Sequence, residues 1–280
     1  MKKLIALLLL AAMTLTLLVS CGSSKKYIVI EENFGAEEYA IGMRKDDYAL
    51  AARIQEILDE MAADGTAGKI AKKWFDREDA FLTGKDFPRA MKTVDGDDSL
   101  QYILDKGTLV LGLDESFPPM GYRDSKSGEI VGFDIDLAKE LASRMGVKLV
   151  IQPIDWNAKE LELSSKNIDV IWNGMSVTEE RAENMFLSKP YVANAQVIIV
   201  AEDSPIKSKA DLAGKIVALQ RGSSALDAVM ADEETYNAIL NGGSIVEFDD
   251  NITAYLDLKA GRVDAFVVDL VVGEWIIKNN

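Results

Sequence analysis

The chain has no histidine, a single cysteine and only six prolines in 280 residues. Without histidine there is no imidazole to act as general base, so triad-type hydrolysis is excluded. Without histidine or a cysteine cluster, zinc-type centres are excluded as well. One cysteine, Cys21, cannot close an intrachain disulfide. Basic side chains are in the minority, 31 Lys and Arg against 46 Asp and Glu, for a formal net charge of −15. Such a surface is a poor partner for nucleic acid or for direct adhesion to anionic lipid. Beyond the first twenty residues no apolar run approaches the length of a membrane-spanning helix. Chemistry carried by carboxylates alone stays open.

What is present is a chain 48% hydrophobic, long enough for one large or two medium domains. It opens with Lys2 and Lys3, an apolar run from Leu4 to Val19, and then Leu18-Val19-Ser20-Cys21. A basic segment, a short apolar segment and small residues at the cut predict a secretory signal over 1–21. From Tyr27 onward, strand-like and helix-like runs alternate. TLVLGL, Ile135 to Met145, KLVIQPI, IDVIWNG, Thr178 to Met185 and QVIIVA form one series. KIVALQ, Ala225 to Met230, SIVEF, Thr253 to Ala260, DAFVVD and Leu270 to Lys278 form a second. That rhythm predicts βαβ units around largely parallel strands, arranged as two α/β lobes.

Composition changes at AEDSPIKSKADLAGK, which places one crossing between lobes near Val200 to Ser204. Glu37 to Arg44 is the expected return, because the apolar face of LAARIQEILDEMA needs the first lobe to cover it. The expected division is 27–37 plus 204–280 for one lobe and 45–75 plus 99–199 for the other. Residues 76–98, charged and without sustained period, read as a linker.

The segments TLVLGLDESFPPMGY, GFDIDLAKELASRMG and DVIWNGMSVTEERAENMFLSKPY resemble family 3 of the extracytoplasmic solute-binding proteins, which deliver polar amino acids to ABC importers. The resemblance covers Tyr27 to Phe75 and Leu100 to Asn280. It implies the two-lobed periplasmic-binding-protein fold of type II. It also implies that the order is circularly permuted, since YIVIEENFGAEEYAIGMRKDD and the helix reaching KKWFD resemble closing elements of the family yet stand first. The string before Cys21 resembles a lipobox, which implies a lipid-anchored protein on the outer face of a bacterial membrane. The chain is expected to close on itself as a monomer, with a domain swap as the rival arrangement.

For the site, the resemblance implies Asn173, Gly174, Ser176 and Arg181, with Arg181 gripping an α-carboxylate. A planar guanidinium donates two parallel hydrogen bonds there, as a lysine cannot. Spacing alone would equally allow a solvated arginine paired with Glu180 or Glu183. In ALQRGSSALDAV, Ser223 and Ser224 lie in a Gly turn before a helix whose free N–H groups suit an anion. The absence of a following Gly-Lys-Ser/Thr argues against a nucleotide loop. Asp269, at the end of an apolar strand, is expected to neutralise an α-ammonium, with helix N-capping as the plain alternative. The resemblance also implies Asp114, Phe117, Trp156 and Gln220 around the ligand side chain, which points to a polar or cationic amino acid, while Phe117 and Trp156 read equally as core aromatics at strand ends. No cofactor and no metal is implied, and the expected partners are the amino acid and the membrane subunits of an ABC transporter. The rival functions are a dehydratase of the prephenate or arogenate type, for which Asp114 is the one nameable acid, and a ligand-binding sensor module.

Overall fold

The computed structural model describes residues 25–279, so Cys21 and the leader lie outside the described residues. The chain enters on one long strand, β1 (Tyr27–Met43), followed by α1 (Tyr48–Ala63) and α2 (Thr66–Phe75). After residues 76–98 come α3 (Ser99–Lys106), β2 (Thr108–Leu113), α4 (Phe133–Met145), β3 (Lys148–Pro153), α5 (Lys159–Ser164), β4 (Val170–Ser176) and α6 (Glu179–Asn184). A second run holds β5 (Val192–Ala201), β6 (Ile216–Gln220), α7 (Ala225–Ala231), α8 (Glu233–Leu240), β7 (Ser244–Phe248), α9 (Asn251–Lys259), β8 (Ala265–Asp269) and α10 (Leu270–Asn279).

The principal strands are hydrogen-bonded in the order β7-β6-β8-β5-β1-β4-β2-β3. Within it, β2 runs parallel to β3 and β4, and β6 runs parallel to β7 and β8, which gives each lobe its own parallel set. Parallel strands are covered on both faces, and the sequence meets that demand. All seven residues of β4 and all five of β8 are buried.

Joining the two sets are β1 and β5, paired antiparallel from Tyr27↔Ala201 to Tyr39↔Val192. β1 then moves on to β4, with Tyr39 aligned on Ser176 and Gly42 on Ile171. Tyr39 is therefore where this strand changes neighbours. β5 pairs with β8 over Gln196 to Ile199, Gln196 facing Asp269 and Ile199 facing Phe266. The crossing expected at Val200 to Ser204 is thus misplaced: Val200 and Ala201 end a strand already paired with the second set, and residues 202–204 follow it. The chain changes sides near Tyr191, whose N–H donates to Tyr39 O at 2.9 Å.

α1 explains why β1 is followed by a return to the first lobe. Leu50, Ile54, Ile57, Leu58 and Met61 fall on one face at helical spacing and are all buried. Each such side chain contributes roughly 1.5–3 kcal/mol on burial. Residues 76–98 form one short 3-10 turn and otherwise run along this lobe without regular structure. They are docked there: Leu82 N donates to Tyr191 O at 2.8 Å, Asp97 Oδ2 accepts from Ala49 N at 2.7 Å, and Phe81, Phe87 and Met91 pack on the core.

A three-stranded antiparallel flap, with strands at Ser116–Phe117, Gly121–Arg123 and Ile130–Val131, follows β2 and carries Phe117. No helix among the described residues is long and apolar enough to cross a membrane.

Candidate ligand site

The C-terminal ends of the parallel strands of both lobes face one another across the β1–β5 crossing. Nine side chains or turns line the space between them: Phe117, Trp156, Gly174, Ser176, Arg181, Gln220, Ser223, Ser224 and Asp269. All nine were expected from the sequence. The walls stand close together and leave a cavity of only about 10 Å³, so the two lobes are shut on one another. Ser176 and Ser224, from opposite lobes, are 2.9 Å apart hydroxyl to hydroxyl.

Arg181 reaches the space from the first turn of α6, where Thr178 caps the helix by accepting from Arg181 N at 3.1 Å. Its guanidinium donates to Ser176 O at 2.8 Å and, across the cleft, to Gly222 O at 3.3 Å. It is 6% exposed, not the solvated surface arginine that spacing alone allowed. Burial lowers its pKa, while the negative charges of Glu37 and Asp269 act to raise it.

Asp269 terminates β8 and accepts from Tyr39 Oη at 2.8 Å and from Asn194 Nδ2 at 2.7 Å. Burial pushes this carboxyl well above the ordinary aspartate range, and the neighbouring Glu37 pushes in the same direction. Arg181, Asp269 and Glu37 take part in no ion pair among the described residues. A closed cleft thus holds a cation and carboxyl groups at separate places, each without its counter-ion at contact distance.

A third pole lies beside them. Asp114 is 8% exposed, and its Oδ2 accepts from Gln220 Nε2 across the cleft at 2.6 Å. Gln220 Oε1 in turn accepts from Asn251 Nδ2 at 2.8 Å. Burial raises Asp114, against the donors Ser116 and Gln220, which favour its charged form. Asp114 is reached through Gln220 and is not part of the wall.

Asn173 is corrected from ligand contact to support. Its Oδ1 accepts from Asp114 N at 3.0 Å, it is 1% exposed, and it does not line the space. Gly174 does line it, with a φ of +57° and no room for a side chain: a Cβ there would sit 2.7 Å from Phe117 Cε1. Behind that turn the fully buried Asp134 accepts from Gly174 N at 2.7 Å and from Tyr191 Oη at 2.8 Å. Burial lifts its pKa to about 7. Trp172 is fully buried and packs edge-on to Tyr191, 6.2 Å between ring centres, away from the site.

Sequence reasoning missed Glu37, Tyr39, Lys159, Asn194 and Gln196. The last two carried a readable signal: two amides at a spacing of two, opening the otherwise apolar strand VANAQVIIVA, lie on one face of it. Lys159 gave no such sign. A larger groove of about 700 Å³ lies outside the cleft beside Tyr122, Arg123 and Trp275, but Arg123 is already paired there with Glu115. No group of three or more metal-ligating side chains occurs among the described residues.

Bacterial extracellular solute-binding proteins, family 3, match residues 109–243. The histidine-bound substrate-binding protein of an ABC uptake transporter from Streptococcus pneumoniae is 34% identical, with a TM-score of 0.63 over 66% of this chain and 74% of that one. The chain belongs to this family. Arginine-bound ArgBP from T. maritima, in a truncated form, is 40% identical to the family member described here, at a TM-score of 0.58 over 64% of this chain and 82% of the other. Among curated members, the L-cystine-binding protein TcyJ of Escherichia coli (strain K12) is 30% identical over 181 residues. That match spans 64% of this chain and 65% of the relative's length. All three are named for binding, none for a reaction.

Proposed function

We propose that this solute-binding protein captures a free L-amino acid with a polar or cationic side chain between its lobes and hands it to an ABC importer. One observation carries the reading: within a single closed cleft, Arg181 and Asp269 lack counter-ions, and an α-amino acid supplies both. Its carboxylate completes Arg181 beside Ser176 and the Gly222–Ser224 turn. Its ammonium completes Asp269. Phe117 and Trp156 give apolar walls of the kind that small-molecule clefts use, and Asp114 with Gln220 gives a polar end for the side chain. Arginine and histidine bound to similar structures support the cationic preference.

Binding without turnover is part of this proposal. Asp114, the acid a dehydratase would need, is engaged by Ser116 and Gln220, and nothing favours that role over binding. Opening and closing about β1 and β5 admits the ligand, and exclusion of water strengthens both charge pairs.

We further propose that the sequence order is permuted, with β1, α1 and α2 supplying elements that other members carry last, and that Cys21 anchors the protein outside the membrane. The lobe division 27–37 plus 204–280 against 45–75 plus 99–199, amended to put β5 with the second lobe, is part of the same proposal.

Thermal-shift measurements against the twenty common L-amino acids test the function. A rise in melting temperature with one or a few polar or cationic amino acids, each recovered unchanged, is expected; no shift with any of them would overturn it.

A further inference from the structure

Among the described residues, one buried side-chain atom beside the cleft has no hydrogen-bond partner: Gln196 Oε1. Gln196 is 1% exposed. Other such atoms lie on Asp47 and Asp169, which both pair with Arg44, and on Trp172, which packs on Tyr191. A buried amide oxygen left unpaired is costly and rare in native proteins, so this one calls for a partner.

Two cleft residues fix its place. On β5, Gln196 faces Asp269 of β8 in the antiparallel register, and its Nε2 donates to Ser224 Oγ at 3.2 Å. Asp269 and Ser224 are both walls of the cavity. The amide cannot be turned end for end. Its Nε2 also donates to Glu37 Oε1 at 2.8 Å, and an oxygen in that place would meet a carboxylate. Glu37 is itself held by Asn194 Nδ2 at 2.6 Å and by Ser224 Oγ at 3.0 Å.

The other amide on this face of β5 supplies the contrast. Asn194 Nδ2 donates to Glu37 and, at 2.7 Å, to Asp269 Oδ1, while its own oxygen accepts from Val271 N at 3.4 Å. Asn194 is engaged at both ends, whereas Gln196 keeps its acceptor end free. Both donors to Asp269, Tyr39 Oη and Asn194 Nδ2, meet Oδ1, which leaves Oδ2 for a ligand.

We propose that Gln196 Oε1 accepts a hydrogen bond from the ligand's α-ammonium while Asp269 Oδ2 takes its charge, so that the cleft selects amino acids by the hydrogens on that nitrogen and not by its charge alone. This deepens the amino-acid reading and rests on it. A primary ammonium has three N–H donors, enough for both acceptors. A quaternary nitrogen carries the charge but no donor, and leaves Gln196 stranded. An acid without the amino group satisfies neither. Such rejection is stronger than an apolar wall can give, because a buried polar group left unpaired costs more than a missing apolar contact.

The test is titration calorimetry of L-arginine and of its deamino analogue, δ-guanidinovaleric acid, on the unaltered protein and on Gln196→Met, which keeps the length of the side chain without its amide. The variant is expected to bind L-arginine more weakly by about tenfold or more, and the analogue, read at millimolar concentration, with unchanged affinity. A purely structural role for Gln196 would weaken both ligands alike. Equal losses, or undiminished binding of L-arginine, overturn the proposal.

A second measurement needs no variant: the resonance of the isotope-labelled Gln196 side-chain carbonyl carbon, assigned through its own backbone. A downfield shift is expected on saturation with L-arginine. A resonance that stays in place while L-arginine binds, as for an oxygen met only by water, overturns the proposal and leaves the amino-acid reading standing. Failure of every common L-amino acid to bind the folded protein removes that reading and this inference with it.

Discussion

Lys159 Nζ, from the first lobe, donates to Gly222 O, from the second, at 2.9 Å, and Arg181 reaches the same carbonyl at 3.3 Å. One backbone oxygen thus collects two cations across the closed cleft. Lys159 is 5% exposed, and burial followed by the nearby Arg181 charge brings its pKa down to about 8. Gly222 has a φ of +68°, and a Cβ there would meet Asn157 Oδ1 at 3.0 Å and Asn157 Cα at 3.1 Å. Gly222→Ala is expected to hold the lobes apart and to weaken ligand binding by about tenfold or more, roughly 1.4 kcal/mol. Small-angle scattering should show that ligand no longer contracts this variant. Undiminished affinity and contraction would show that closure does not bring these surfaces together.

Arg181 is the strongest single anchor in the account. Arg181→Ala is expected to weaken amino-acid binding by more than about a hundredfold, near 3 kcal/mol, as measured by calorimetry. Arg181→Lys keeps the charge but not the planar fork, and should recover only part of that loss.

Asp114 is expected to select rather than to anchor. In Asp114→Asn, binding of L-arginine should fall by at least about tenfold relative to L-glutamine, because only the cationic side chain loses a charge partner. Equal losses for the two ligands in competition dialysis would assign Asp114 to the framework of the flap instead.

Asp134 gives a stability signature that is independent of ligand. Its folded pKa of about 7 lies above the unfolded value of 3.8, so the folded protein retains a proton that the unfolded chain loses in between. The sign follows: stability is favoured below about pH 4 and is lost as pH rises to about 7, by on the order of 4 kcal/mol for this group. Denaturant unfolding of Asp134→Asn against the unaltered protein should show their difference changing across that window and level above it. A difference constant from pH 4 to 7 would mean that Asp134 is ionised in the folded state.

Much of this was legible because strand ends announce themselves. Apolar runs that stop on Asp269, on Gln220 or on the Asn173–Gly174 turn put chemistry at the C-terminal edge of a parallel sheet, and the structure gathers them there. Arg181 was legible through its string. Asn173 was not, because lining a cleft and supporting its wall call for the same buried amide. The crossing near Tyr191 escaped because β5 is apolar throughout its second half, and composition changes only after that strand has ended. Glu37 was hidden by company: in EENFGAEEYA it is one of four glutamates, and only its place opposite Asn194 on β5 sets it apart from Glu31, Glu32 and Glu38. Helix α8, EETYNAIL, was missed because eight residues hold too few turns for a clear period.

The central claim is that one ligand bridges Arg181 and Asp269. Titration calorimetry with L-arginine beside its decarboxylated analogue agmatine tests it most directly, since the two differ only in the group assigned to Arg181. The account predicts saturable one-to-one binding of L-arginine and a loss of at least about a hundredfold for agmatine. Equal affinity for both, or no binding of any L-amino acid by the folded protein, would contradict it.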